Sequence, residues 1–355
     1  MVLAMTLLDT LRALADPTRL RIMRLLASME LAVGELAQVL GQSQPRVSRH
    51  VKILCDAGLA ERRREGGWVF LRAAIGDDAD TGGESAAIGA VVARLLAVAE
   101  EADAGFGLRC SEDRQHLDAV RALREAHAAD YFARHAEEWD HLRSLHIADG
   151  PVEAALTGML GQGTDAPVLG RVLDVGTGTG RMAELFAARA ERVVALDKSP
   201  EMLRIARTRL QHLPAGRVEL VQGDFAQLPF APASFDTVLF HQVLHYAIAP
   251  EAVLAEAARV TAPGGRVAIV DFAAHDREEL RTAHAHARLG FSDAQVEKLL
   301  LDAGFEPDGE RALPGHELIV KVWTGIRSAH AQSAPAGNVT PIQPEHARTV
   351  RKATS

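Results

Sequence analysis

Cysteine is nearly missing from this 355-residue sequence, which has only Cys55 and Cys110. Two thiols make no disulfide framework, and such sparing use suits a reducing cytoplasm. Aromatic residues are scarce as well, 5% with two tyrosines, so the position of each one carries weight. No apolar run reaches the ~20 residues that cross a bilayer. The start, MVLAMTLLDTLRALADPTRL, has no basic lead and is interrupted by Asp9. It repeats Leu7, Leu8, Leu11 and Leu14 at helical spacing. An amphipathic helix is expected there, not a secretion signal.

Positive charge is in deficit overall, at −8, but the deficit is uneven. Residues 1–75 hold eleven Lys and Arg against seven Asp and Glu, so this head is +4 and the remainder −12. A basic head attracts phosphate even when the chain total is negative. With 48% hydrophobic residues the chain is long enough for two cored domains.

The head reads as four helices and a ribbon. DPTRLRIMRLL starts a helix with Asp16 as N-cap and Pro17 at N1. VGELAQVLG is a short helix closed by Gly41. The next helix is expected over Pro45 to Ala57, capped by Ser43 and stopped at Gly58. Gly66-Gly67 joins two strand-like runs in LAERRREGGWVFLRA. Val47, Val51 and Leu54 share the inward face of the fourth helix. Gln44, Arg46, Ser48, Arg49, His50 and Lys52 are left for a DNA groove. Arg62, Arg63 and Arg64, at the base of the ribbon, suit the phosphate backbone or the minor groove.

LADPTRLRIMRLL and SQPRVSRHVKILCDAGL make residues 5–75 resemble an ArsR-type winged-helix regulator. The resemblance implies a homodimer that releases DNA when an effector binds. Many relatives sense metals through cysteines in the third helix, but ELAVGELAQVL has none. No metal site is therefore expected, and the signal must enter elsewhere.

Beyond the polar joint IGDDADTGGESAA, residues 86–102 read as a helix. Its apolar face (Ile88, Val91, Val92, Leu95, Leu96, Val98) suits pairing of two chains. A second helical stretch, roughly 112–145, contains YFARHAEEWDHL. From Arg171 short apolar strands alternate with helices: RVLDV, RVVALD, VELVQ, FDTVLF, RVAIVDF and ELIVKVW. That alternation implies a parallel sheet with helices on both faces. From about Ser328 the Ala, Ser, Pro, Gln and Gly content predicts disorder.

VLDVGTGTGRMAELFA is a strand, a glycine turn and a helix, with Gly176, Gly178 and Gly180 allowing close backbone approach. Asp174 precedes the turn, Asp197 ends the second strand, and GDFAQLPF follows the third. A dinucleotide-binding dehydrogenase would show the longer G-x-G-x-x-G fingerprint instead. Together these motifs make residues 165–325 resemble a class I S-adenosylmethionine-dependent methyltransferase. The resemblance implies that Asp174, Gly176 and Gly178 line the methionine part of the cofactor, with Gly180 also among the cofactor-binding residues. Asp197, with Lys198 beside it, would hold the ribose; Met202, Asp224 and Phe225 would hold the adenine. His241 would lie near the methyl group, with Tyr131 and Trp139 as a cap or as ordinary helix packing.

His241 and His245 are the candidate catalytic bases, and each is equally well a packing residue. No Asn/Asp-Pro-Pro-Tyr pattern marks a nucleic-acid amino methylase. The absence of cysteine from this domain argues against arsenite as acceptor. REELRTAHAHARLGF reads as a helix on which Arg277, Arg281, His284 and Arg288 share a face, suited to an anionic substrate or to solvent.

The expected fold is therefore multidomain. An N-terminal winged helix-turn-helix spans residues 1–75 and a joint with a helical dimerisation and connector region spans 76–164. A C-terminal Rossmann-like α/β domain spans 165–325, and a disordered tail spans 326–355. The expected function is a DNA-binding transcriptional regulator whose body binds S-adenosylmethionine or S-adenosylhomocysteine as effector. The alternative is an active small-molecule methyltransferase with an autoregulatory head. Expected partners are a double-stranded operator, a second copy of the chain and a methyl acceptor, with no membrane.

Overall fold

A computed structural model describes residues 7–27, 30–65, 68–74, 84–140, 148–161, 169–315 and 318–328. The Gly66-Gly67 turn, most of the IGDDADTGGESAA joint and the tail past Ser328 lie outside the described residues.

The head contains α1 (Leu7–Leu14), α2 (Pro17–Leu26), β1 (Leu31–Ala32), α3 (Val33–Val39), α4 (Gln44–Asp56), β2 (Ala60–Glu65) and β3 (Trp68–Ala73). Asp16 caps α2, accepting from the backbone N–H of Thr18 at 2.8 Å and of Arg19 at 3.1 Å. Ser43 holds the N-cap position of α4 but makes no capping bond with its side chain. α4 buries Val47, Val51 and Leu54, as its i, i+4, i+7 spacing requires. The three strands run in the order β1-β3-β2, all antiparallel. This is a winged helix-turn-helix, with the two-residue β1 added to the expected ribbon.

Two long helices follow, α5 (Glu84–Ala102) and α6 (Ala104–His135). α6 starts well before residue 112 because Asp103 caps it, accepting from the N–H of Gly105 and of Phe106 at 2.9 Å each. Gly107 lets the helices touch there: a Cβ would lie 2.5 Å from the Glu100 carbonyl oxygen. The head core continues through Val92, Leu96, Phe106, Cys110 and Leu117. Ion pairs fasten the join: Arg21 with buried Asp113, and Arg24 and Arg114 both with Glu100.

The body contains α7 (Asp149–Met159), β4 (Arg171–Val175), α8 (Arg181–Phe186), β5 (Arg192–Asp197), α9 (Pro200–Leu210), β6 (Val218–Gln222), β7 (Phe235–His241) and α10 (Pro250–Val260). It continues with β8 (Thr261–Phe272), α11 (Glu279–Ala283), α12 (Asp293–Ala303), β9 (Phe305–Pro314) and β10 (Ile319–Arg327). Seven strands form one sheet in the order β6-β5-β4-β7-β8-β10-β9, parallel from β6 to β8 and antiparallel at β10 and β9. One apolar cluster packs on each face, around Phe186 and Phe240. The chain order reverses across β4, which lies between β5 and β7, and that switch point opens a crevice at the carboxyl ends of the strands.

A further element differs from expectation. The segment from Arg277 to Phe291 is not one helix: only Glu279–Ala283 is helical. Ala285 follows with φ +55°, which breaks the helical path. Arg277, Arg281, His284 and Arg288 therefore share no helical face.

Candidate functional site: a cavity at the switch point

The glycine turn occupies the crevice. Gly176, Gly178 and Gly180 all have positive φ, +67°, +55° and +85°. A Cβ on Gly176 would lie 2.6 Å from Val243 Cγ2, so side chains are excluded sterically as well as by conformation. Beside the turn lies a cavity of about 220 Å³. Its lining includes Asp174, Gly176, Gly178, Asp197, Lys198, Met202, Phe225 and His241, together with Trp139 and Tyr246. Asp197 accepts from the Gly178 N–H at 2.8 Å through Oδ2 and from the Ser199 N–H at 2.9 Å through Oδ1. It thereby ties the turn to the start of α9, with lone pairs to spare on both oxygens.

A buried acid and a half-buried one stand side by side. Asp174 is 1% exposed, and burial, with the Asp197 charge adding to it, pushes its carboxyl pKa up to about 7. Burial also raises Asp197. Thr177 donates to Asp174 Oδ2, but Oδ1 is buried with no hydrogen-bond partner. An orphaned buried carboxylate oxygen costs stability unless a ligand donor meets it. The ammonium of an amino-acid sulfonium cofactor would be such a donor, and ribose hydroxyls suit Asp197. The residues present fit that group.

Trp139 lies over the turn: a Cβ on Gly178 would be 3.4 Å from its Nε1. The segment is pinned by Asp140, which accepts from Thr179 Oγ1 at 2.7 Å and pairs with Arg209. Sequence reading picked out Trp139 and missed Asp140, although the adjacent WD pair was the available signal. An aromatic row leads away from Trp139. Phe132 meets it edge-on at 5.3 Å, and Tyr246 meets Phe132 at 4.8 Å.

Not every expected residue reaches the cavity wall. Asp224 is absent from the lining; its carboxylate pairs with Lys198 at 2.8 Å. Gly180 is the left-handed N-cap of α8. Tyr131 stands behind the wall, with its hydroxyl 2.8 Å from His284 Nδ1. His245 is sealed, 2% exposed, with Nδ1 2.7 Å from Asp271 Oδ1. Asp271 was missed, because the 26 residues separating the pair leave no local signal. Its N–H donations from His245 and Phe272 leave it fully enclosed.

In the head, Gln44, Arg46, Arg49, Lys52 and Arg62 are exposed and Ser48 is half-buried. His50 turns inward, with Nδ1 3.6 Å from Asp16. Arg63 and Arg64 lie in β2, but their side chains are outside the described residues.

Comparison with known proteins agrees with this division. The family described as "Bacterial regulatory protein, arsR family" matches residues 16–62. The family described as "Methyltransferase domain" matches residues 173–269. A phosphatidylethanolamine N-methyltransferase of Cereibacter sphaeroides is 38% identical over 144 residues, 39% of this chain and 70% of that protein. The chain belongs to the methyltransferase-domain family and carries an arsR-family helix-turn-helix. A demethylmenaquinone methyltransferase of Clavibacter sepedonicus is 44% identical over 110 residues, 30% of this chain. The chain spans under half that relative's length, 43%. Among solved structures, a 1,6-didemethyltoxoflavin-N1-methyltransferase of Burkholderia thailandensis with bound S-adenosylhomocysteine is 25% identical with a TM-score of 0.44. The similarity covers 59% of this chain and 89% of that one. The arsR-family match and the methyltransferase-domain match lie in successive parts of one chain, and no helix among the described residues is long and apolar enough to cross a membrane.

Proposed function

We propose that this protein is a transcriptional regulator whose methyltransferase domain binds S-adenosylmethionine or S-adenosylhomocysteine as effector of the DNA-binding head. The observation that carries this reading is the cavity itself. It places the orphaned Asp174 oxygen, the left-handed glycine turn and the half-buried Asp197 around one space, in a chain whose head exposes Arg46, Arg49 and Lys52. Asp174 takes the ammonium, Asp197 the ribose hydroxyls, Met202 and Phe225 the adenine, and His241 lies toward the methyl group. The bound form is a homodimer. Leu7, Leu8 and Leu11 of α1 and Val91, Leu95 and Val98 of α5 are all more than half exposed, an apolar surface that a second copy would cover. A cofactor that favours one arrangement of the dimer by about 1–3 kcal/mol changes DNA affinity roughly 5–150-fold.

The test begins with operator duplexes selected from a random pool by the full-length protein. Their affinity is then measured without ligand, with S-adenosylmethionine and with S-adenosylhomocysteine. A change of fivefold or more with either ligand supports the reading, and equal affinities in all three conditions reject it.

One observation favours the second reading, an active small-molecule methyltransferase. The cavity extends past the cofactor residues into the aromatic row, toward the buried His245–Asp271 pair. If the aromatic end held a methyl acceptor against a bound cofactor, alignment would supply most of what such a displacement needs. Formation of S-adenosylhomocysteine on incubation with candidate acceptors would establish it.

A further inference from the structure

We propose that Arg288 is the joint through which whatever lies at the aromatic end of the cavity sets the position of the DNA-reading wing. The proposal rests on the regulator reading above and adds which end of the cavity is read, and by what contacts.

Arg288 is 3% exposed and touches both parts of the protein. On the body side its peptide N–H donates to the His245 carbonyl and its Nη2 to the Ile248 carbonyl, each at 2.8 Å. On the head side its Nη1 donates to Glu30 Oε2 at 2.8 Å, and its guanidinium lies 4.8 Å from the centre of the Phe70 ring. Arg281 stands 5.7 Å from the same ring. Phe70 is a residue of the wing strand β3, paired with Ala32 in β1 and with Arg63 in β2. Only a planar, five-donor cation satisfies a carboxylate and a carbonyl while stacking on a ring.

The segment that Arg288 grips has the cavity on one side and the head on the other. Tyr246 and Ile248 line the cavity, while Ile248 and Ala249 pack against the head core. A ligand that moves Tyr246 or Ile248 therefore moves the carbonyls to which Arg288 is bonded, and with them the grip on Glu30 and Phe70. The backbone around this segment is strained. Gln242 and Ala285, two cavity-lining residues, have φ +55° without being glycine. Such residues mark places where a structure holds an alternative in reserve.

The chemistry of that end names the class of ligand. The charged residues of the lining, Asp174, Arg181, Asp197, Lys198 and Glu201, belong to β4, β5 and the segments around α8 and α9. The other end offers the rings of Phe132 and Tyr246 and the side chains of Ile248 and Ala285. Burial holds the Tyr246 hydroxyl protonated, so the ring brings no charge to that end. The occupant is a flat, uncharged aromatic molecule.

The experiment uses the full-length protein saturated with S-adenosylhomocysteine, with 2-naphthol as probe and 2-naphthoate as its charged counterpart. Binding is followed by calorimetry and the wing by hydrogen exchange of the β3 amides. The expected result is that 2-naphthol binds at least tenfold more tightly than 2-naphthoate and changes exchange of the Phe70 and Leu71 amides at least threefold. Phe70→Leu and Arg288→Lys should bind the probe and lose that change. An unaltered β3 on saturation with 2-naphthol overturns the proposal. So does a change of equal size in both variants, or a failure of 2-naphthol to bind the cofactor-loaded protein. If β3 responds but neither ligand alters operator affinity, the regulator reading fails while the joint stands.

Discussion

The Thr177 hydroxyl donates to Asp174 Oδ2 at 2.6 Å, and the other oxygen of that buried carboxylate is left without a hydrogen-bond partner. The carboxyl pKa of about 7, raised by burial and then by Asp197, gives this arrangement a pH signature. A raised acid holds its proton more tightly in the folded than in the unfolded state. Its effect on stability is therefore a loss that accumulates from about pH 4 to about pH 7 and is constant above. A cationic ligand prefers the ionised form, so affinity for S-adenosylhomocysteine should rise up to roughly tenfold per pH unit below 7 and level off above it. Calorimetry across pH 5–9 checks this, and Asp174→Asn should flatten the profile.

Asp197→Ala should weaken cofactor binding by roughly 100-fold or more, since two charge-assisted hydrogen bonds are each worth about 1.5–3 kcal/mol. Asp197 also holds the N–H groups of Gly178 and Ser199. Asp197→Asn, which keeps an acceptor for one of them, should be milder. Unchanged affinity in the alanine variant would mean that the ribose lies elsewhere.

What was legible in the sequence was local. Asp16 before Pro17, the three glycines of the turn and the acid closing β5 each act within a few residues, so spacing alone exposed them. The two residues of β1 carry no periodicity, and Gly105 and Gly107 disguised the start of α6, where close helix packing overrides helix propensity. Arg281 and Arg288 looked like one basic face because the left-handed turn at Ala285 has no glycine to announce it. Arg288 meets Glu30 across 258 residues, and Asp271 meets His245 across 26. Such partners come together only through the sheet order and the docking of head on body.

Arg46 and Arg63 should contribute differently to DNA binding. Arg46→Ala should relax base preference at one position, at a cost of about 1–3 kcal/mol on the preferred sequence. Arg63→Ala should weaken all duplexes alike and reduce the salt slope by about one. Competition binding over a salt series separates the two, and wild-type behaviour in both variants would place the reading surface elsewhere.

Charge placed on the exposed faces of α1 and α5 should split the proposed dimer. Leu95→Glu, with Leu11→Glu as an independent variant, should shift the protein from dimer to monomer at micromolar concentration by sedimentation. Operator affinity should fall with it, because paired half-sites demand two heads. A wild-type protein that sediments as a monomer would contradict the assignment outright.

The central claim is that cofactor site and DNA head are energetically linked, and linkage is reciprocal. The direct measurement is a titration of S-adenosylhomocysteine into the full-length protein with and without saturating operator, repeated with S-adenosylmethionine. The expected result is that operator shifts the affinity for at least one of the two by the same factor, 5-fold or more, by which that ligand shifts affinity for operator. Identical cofactor affinities with and without DNA, for both ligands, would show a head and a body that are joined but independent.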